Sequence, residues 1–211
     1  LVNNCAVISL ERTKAIKVYG LTGGIGAGKT EAGRLFGMMG IPVIEADTIA
    51  KAVLRPPGEP YQEAIVAFGK EILNKKQEID TKVLASIVFS NPQKLKVLND
   101  IVHPRVVEEV QRRLNCLAEI GCTVAVVCAA LLLETGLWQQ MDGNIVVHAD
   151  EEVRIERTMK RSGMTREEVL MRMQSQAPEK ARLKIATYLI DNNGDFMHLK
   201  KEVARVALLL F

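Results

Sequence analysis

No apolar run in these 211 residues approaches the roughly 18 that a membrane-spanning helix requires, and the run from Cys5 to Leu10 stops at Glu11-Arg12. A soluble, cytoplasmic chain with no membrane partner is expected. Charge of one sign is scarce too: 28 basic residues against 25 acidic ones leave a formal net charge of +3, too slight to argue for a nucleic-acid partner. Any anion binding must be local. The four cysteines (Cys5, Cys116, Cys122 and Cys128) contain no C-x-x-C pair and no metal-ligand spacing, and three sit in or beside apolar runs, so they read as reduced, buried thiols. There is no internal repeat or low-complexity segment, and 48% hydrophobic with 25% charged residues argues against disorder. Residues 1–15 carry no motif and are expected to form an N-terminal extension.

What the chain does have is the stretch Lys17-Val18-Tyr19-Gly20-Leu21-Thr22-Gly23-Gly24-Ile25-Gly26-Ala27-Gly28-Lys29-Thr30, an apolar strand running into a glycine-rich turn. Gly23, Gly28, Lys29 and Thr30 satisfy G-x-x-x-x-G-K-[ST]. In that pattern backbone N–H groups wrap phosphates, the lysine reaches the outer ones and the hydroxyl binds Mg²⁺. By composition it should arise by chance in roughly one chain of this length per hundred. Context lowers that further, because a strand precedes it and helical spacing of Leu35, Met38 and Met39 follows. The competing reading is a flexible glycine loop with a solvated lysine.

Gly40 is placed as a helix stop, and Ile41-Pro42-Val43-Ile44 makes a short strand ending in Glu45-Ala46-Asp47. Ligands of open α/β sheets collect at the carboxyl ends of strands, so Asp47 is placed either for chemistry or as the cap of a helix over Thr48 to Leu54. The turn cluster Arg55-Pro56-Pro57-Gly58-Glu59-Pro60 opens a stretch that is helical in pattern from Tyr61 to Glu119, with breakers expected at Gly69, Asn91-Pro92 and His103-Pro104. His103, before a proline and hence biased away from helical backbone, should sit at the mouth of a helix from Arg105 to Glu119, as a packing group or as a ligand donor. The sheet resumes at Thr123 to Ala129, and Glu134 follows as an acid on the ligand side or a surface acid on a turn. After the strand Asn144 to His148, Asp150 is expected to cap a helix over Glu151 to Arg161. Arg154, Arg157 and Arg161 recur there at spacings of three and four, as an anion site or a solvated basic face. Thr165 and Glu168 fit a capping box, Ala186 to Ile190 reads as the last strand, and Phe196 to Phe211 as a closing amphipathic helix.

A phosphate loop alone permits kinases, GTPases, motor ATPases and nucleotide sensors. An N-K-x-D guanine reader is absent, and the D-x-x-G string at Asp191 lies far from where a switch loop belongs. A short P-loop domain with a helical insertion and an arginine-bearing hairpin suits a small-molecule kinase, because transfer to an acceptor needs a second substrate site and exclusion of water.

From Lys17 to Phe211 the chain resembles the bacterial dephospho-CoA kinases, through Leu21 to Thr30, the Asp-Ala-Asp-like Glu45-Ala46-Asp47, Val102-His103-Pro104, Leu131-Leu132-Leu133-Glu134, Arg157-x-x-x-Arg161 and Ile190-Asp191-Asn192-Asn193-Gly194. The resemblance implies an α/β fold: a P-loop kinase core with a parallel five-stranded sheet flanked by helices, a helical substrate domain and a helical lid. The core would take residues 16–54, 121–149 and 185–211, the CoA-binding domain 55–120 and the lid 150–184. It further implies ATP-dependent phosphorylation of the ribose 3′-hydroxyl of dephospho-CoA. Gly23, Gly24, Ile25, Gly26, Ala27, Gly28, Lys29 and Thr30 would hold ATP and Mg²⁺, with Thr30 as the protein's metal ligand. Asp47 would orient or deprotonate the hydroxyl, His103 and Glu134 would bind the acceptor side, Arg157 would close over the developing charge, and Arg161 would support it. Three positions depart from the family pattern: Glu45 stands for Asp, Ala130 for Pro, and Thr187 for Asp. The strand ending at Ala129 also supplies no immediate acid as a second metal ligand. The alternatives are a nucleoside or nucleotide monophosphate kinase and a non-catalytic nucleotide-sensing module.

Overall fold

The computed structural model describes residues 16–89 and 91–211; the extension expected over residues 1–15, with Cys5, lies outside the described residues. Contacts divide the chain into two compact units, residues 46–112 and residues 16–45 with 113–211.

The second unit is built on five strands, β1 (Lys17–Thr22), β2 (Val43–Glu45), β3 (Val124–Cys128), β4 (Gly143–His148) and β5 (Tyr188–Asp191). They pair in the order β2-β3-β1-β4-β5, every pair parallel. All five carboxyl ends therefore lie along one side. The register Gly20↔Val127 and Gly20↔Asn144 fixes β1 at the centre. A central parallel strand is covered on both faces, which explains the apolar runs of β1, β3 and β4, where Leu21, Val126 and Ile145 are fully buried.

Helix α1 (Lys29–Met38) packs its Leu35 and Phe36 onto this core, and Gly40 stands just past its end in a left-handed conformation (φ 83°). Three further helices, α6 (Glu151–Ser162), α7 (Arg166–Gln174) and α8 (Glu179–Lys184), lie between β4 and β5 in sequence. The closing helix α9 (Phe196–Ala207) buries Leu199, Val203 and Val206 against the sheet. The Thr165 capping box forms at the start of α7: the Glu168 N–H donates to Thr165 Oγ1 at 3.3 Å, and the Thr165 N–H to Glu168 Oε2 at 2.8 Å. Asp150 does stand at the N-cap of α6, but its side chain caps no N–H there.

The other unit is helical: α2 (Ala46–Val53), α3 (Glu59–Phe68), α4 (Thr81–Phe89) and most of α5 (Pro92–Glu119). Its core joins Tyr61, Ala64, Phe68, Ile72, Leu84 and Val88, all within the stretch whose pattern reads as helical. Two expectations fail here. Asp47 is not the N-cap of α2, because the helix already begins at Ala46 and Asp47 lies in its first turn, where an acid complements the helix dipole. His103-Pro104 is not a break: α5 runs through Pro104 as one helix of 28 residues. Proline forfeits one i→i−4 bond, and a helix of this length with packed flanks absorbs that loss. His103 is thus a mid-helix residue rather than a helix mouth. No helix among the described residues is long and apolar enough to cross a membrane.

Candidate active site

The turn from Gly23 to Gly28 links the carboxyl end of β1 to α1, which opens at Lys29. The start of a helix is a ready-made anion site, and α1 opens directly from the loop. Gly28 is the N-cap with φ 99°, a conformation that L side chains rarely adopt, and a Cβ there would run into Asn192 Nδ2. Asn192, which is buried, donates to the Ala27 carbonyl at 2.7 Å and so pins the loop from the end of β5. At Gly24 the need is close approach: a Cβ would overlap the Arg154 guanidinium. Thr158 Oγ1, on the next turn of α6, lies 2.7 Å from where a Cβ of Gly26 would sit. The loop is a shaped cradle, walled by α6 and by the turn after β5.

Lys29 Nζ lies 3.4 Å from Cys128 Sγ at the end of β3. Burial pushes the Cys128 thiol up to about 12, against the pull of the Lys29 ammonium, with Glu45 adding to the rise. The thiol stays neutral. Of the described cysteines only Cys128 is buried; Cys116 is exposed and Cys122 half-buried, which corrects the reading of them as core thiols. Thr30 is exposed and shares with Glu45 and Glu31 a groove of about 560 Å³ between α1 and β2. A hydroxyl beside carboxylates, open to water and phosphate oxygens, is a donor set that fits a hydrated hard cation such as Mg²⁺.

The three arginines of α6 go to three environments. Arg154 is buried, and Arg161 is exposed. Arg157 donates to the Asn192 carbonyl at 2.7 Å and to the Gly194 carbonyl at 3.0 Å. Glu134 is held by the segment after α7: its Oε1 accepts the Ala177 N–H at 2.8 Å and lies 3.9 Å from Arg182 NH2. A freely solvated turn acid would have neither neighbour. Gln176, in the same segment, accepts the Ile25 N–H of the P-loop at 2.9 Å. Thr187 is also engaged, accepting the Asn144 N–H at 3.0 Å.

Asp47 and His103 belong to the helical unit. Asp47 stands two residues past the carboxyl end of β2, and burial holds the His103 imidazole below its ordinary range, with Nε2 buried and without a hydrogen-bond partner among the described residues. Four residues that shape the cradle were not singled out for it by the sequence. Asn192 lay in a quoted motif without a role, and Arg154 was one of three arginines read together as an anion site or a solvated basic face. Gln176 and Arg182 gave no local signal, because the groups they meet are distant in the chain.

A family model for dephospho-CoA kinase matches residues 17–198. The chain is 36% identical over 191 residues to the dephospho-CoA kinase of Carboxydothermus hydrogenoformans, covering 90% of this chain and 93% of the relative. Among solved structures, a Thermus thermophilus protein aligns with a TM-score of 0.82 at 32% identity, covering 94% of this chain and 100% of its own. A dephospho-CoA kinase from Campylobacter jejuni aligns with a TM-score of 0.66 at 25% identity, covering 90% and 95%. With a family model spanning most of its length and curated relatives matched nearly end to end, the chain belongs to the dephospho-CoA kinase family.

Proposed function

We propose that this chain transfers the terminal phosphoryl group of ATP to the ribose 3′-hydroxyl of dephospho-CoA, giving CoA and ADP, the last step of coenzyme A synthesis. The observation that carries the reading is the family match over residues 17–198, which takes in both the P-loop and the helical unit. Phosphoryl transfer passes through a loose transition state, so the protein's task is positioning and charge stabilisation rather than covalent chemistry.

Each part then has a role. Gly23 to Thr30 cradle the phosphates of ATP, and Lys29, held at the strand ends by Cys128, reaches the outer ones. Thr30 is the protein ligand for Mg²⁺, with Glu45 on the same groove to order its waters; the ion would neutralise charge on the phosphates. Asp47 orients or deprotonates the acceptor hydroxyl, and its place just beyond a strand carboxyl end supports that role. His103 binds the acceptor from the helical unit, which overlaps most of the coenzyme-binding segment assigned to 55–120. Glu134, engaged with Ala177, ties the turn after β3 to the lid segment 150–184. Arg157 brings positive charge toward the nucleotide from the wall it shares with Asn192 and Gly194, and Arg161 supports it. Free thiols and ATP chemistry support a cytoplasmic setting for the reaction.

The test is ADP release from Mg-ATP with dephospho-CoA, adenosine and AMP as separate acceptors. Turnover should depend on dephospho-CoA. Turnover with AMP or adenosine alone, or none with dephospho-CoA, would overturn the reading.

A further inference from the structure

Two buried cations beside the P-loop have no task in the scheme above. The side chain of Arg154 on α6 is 7% exposed and that of Arg182 on α8 is 2% exposed. Both NH1 atoms stand 3.4 Å from one carboxylate oxygen, Glu179 Oε2, whose other oxygen takes His148 Nδ1 at 2.9 Å. Glu134 is 3.9 Å from Arg182 NH2, too far for a hydrogen bond. Nε of Arg154, and Nε and NH2 of Arg182, have no hydrogen-bond partner among the described residues.

Each buried N–H left unmade costs about 1–3 kcal/mol, more on a charged group. Such an arrangement is explained when an anion supplies the missing acceptors, because forked guanidinium donors match phosphate oxygens. The direction is given by Gly24: a Cβ added there would collide with Arg154 NH1 and lie 3.3 Å from Arg182 NH1. The guanidinium groups therefore abut the strand-side turn of the loop. In this loop pattern the amides cradle the inner phosphates and leave the outer one to side-chain cations, and these two guanidinium groups stand against the loop itself.

We propose that Arg182, paired with Arg154, contacts the terminal phosphoryl group of the donor nucleotide and stabilises its charge during transfer. The inference rests on the ATP-dependent reading above. Glu179 holds both guanidinium groups without satisfying them, and two bonds stitch the segment before α8 in place: Ile25 N–H to Gln176 and Ala177 N–H to Glu134. Arg182 is thus delivered from a lid segment already latched to the loop it serves. Arg157, by contrast, already gives an N–H from each of NH1 and NH2 to carbonyls of the turn after β5.

Arg182→Lys and Arg182→Gln would be compared with wild type for binding of Mg-ADP and of a non-hydrolysable ATP analogue, and for kcat and KM. ADP affinity should stay within about twofold, analogue affinity should fall about tenfold, and kcat should fall roughly 10²-fold with KM for dephospho-CoA nearly unchanged. Equal weakening of ADP and analogue, or wild-type kcat, would reduce Arg182 to a structural role and overturn the proposal. Should neither variant fold, ¹⁵N spectra of wild-type arginine Nε–H groups decide: the Arg154 and Arg182 signals should shift with the ATP analogue and not with ADP. Unshifted signals would overturn the assignment. These binding readouts need no acceptor, so failure of dephospho-CoA-dependent turnover would strike the proposed reaction and leave this assignment standing on its own test.

Discussion

Glu179 is the joint on which the buried charges beside the loop depend, and removing it should cost stability as well as activity. Its Oε1 accepts from the ring N–H of His148 at Nδ1, 2.9 Å away, while its Oε2 faces Arg154 and Arg182 at 3.4 Å each, and 23% of the side chain is exposed. Removing one partner of a buried ion pair costs about 3–5 kcal/mol because the other charge is left uncompensated. Partial exposure and the length of both arginine contacts move Glu179→Ala to the lower end, about 3 kcal/mol. Glu179→Gln keeps an oxygen for the arginines and turns its amide toward His148, so it loses charge but not hydrogen bonding and should cost about 1–1.5 kcal/mol. For a chain of this size each kcal/mol lowers Tm by about 2–4 °C, so Glu179→Ala should melt roughly 6–12 °C below wild type. Trp138, the one tryptophan, belongs to the same unit and reports its unfolding in urea by fluorescence. Stabilities of both variants within about 0.5 kcal/mol of wild type would refute the account of Glu179 as the shared counter-ion.

Asp47→Asn should lower kcat by orders of magnitude with little change in fold; since Asp47 caps no helix end, wild-type kcat would leave it no part in transfer. Arg157→Ala should slow transfer more than it weakens dephospho-CoA binding, and an effect confined to KM would contradict its place beside the donor. Gly28→Ala forces a side chain into a φ of 99° and against Asn192, so nucleotide affinity should drop at least about tenfold and stability by about 2 kcal/mol; unchanged ATP affinity in a titration would reject the cradle geometry. Burial holds the folded-state His103 below its ordinary value, so the unfolded chain takes up a proton first as pH falls. Stability should therefore decline as pH drops through the unfolded value near 6.5 and level off below the folded one. His103→Gln should lose less stability than wild type between about pH 7.5 and about pH 5.5, and equal losses would show that His103 is not the group responsible.

The fold was legible where local rules act alone. Apolar runs marked β1, β3 and β4, and the helical pattern from Tyr61 onward marked the helical unit. It was misread where a local preference lost to its surroundings. Pro104 disfavours helix, but one forfeited bond is small against the packing along α5. Asp150 does stand at the N-cap of α6, yet its side chain caps no N–H there, and its Oδ1 lies 3.6 Å from His148 Nε2.

The site divides along the same line. Everything in the loop itself is written in consecutive residues, because backbone amides and a helix start need only glycine, lysine and threonine in order. What surrounds the loop is not, because its parts meet by tertiary contact: Ala177 finds Glu134 across 43 residues, Gln176 finds Ile25 across 151, and Asn192 finds Ala27 across 165. Spacing grouped Arg154 with Arg157 and Arg161, and the family resemblance gave the roles to Arg157 and Arg161. Burial reorders them. Arg161 is exposed, Arg157 is engaged by carbonyls, and among the described residues the buried cations with unmet donors are Arg154 and Arg182. A charge placed on a surface is cheap and says little, whereas two guanidinium groups kept dry at a phosphate loop demand an acceptor, and the terminal phosphate is the group of the reaction that can meet the demand.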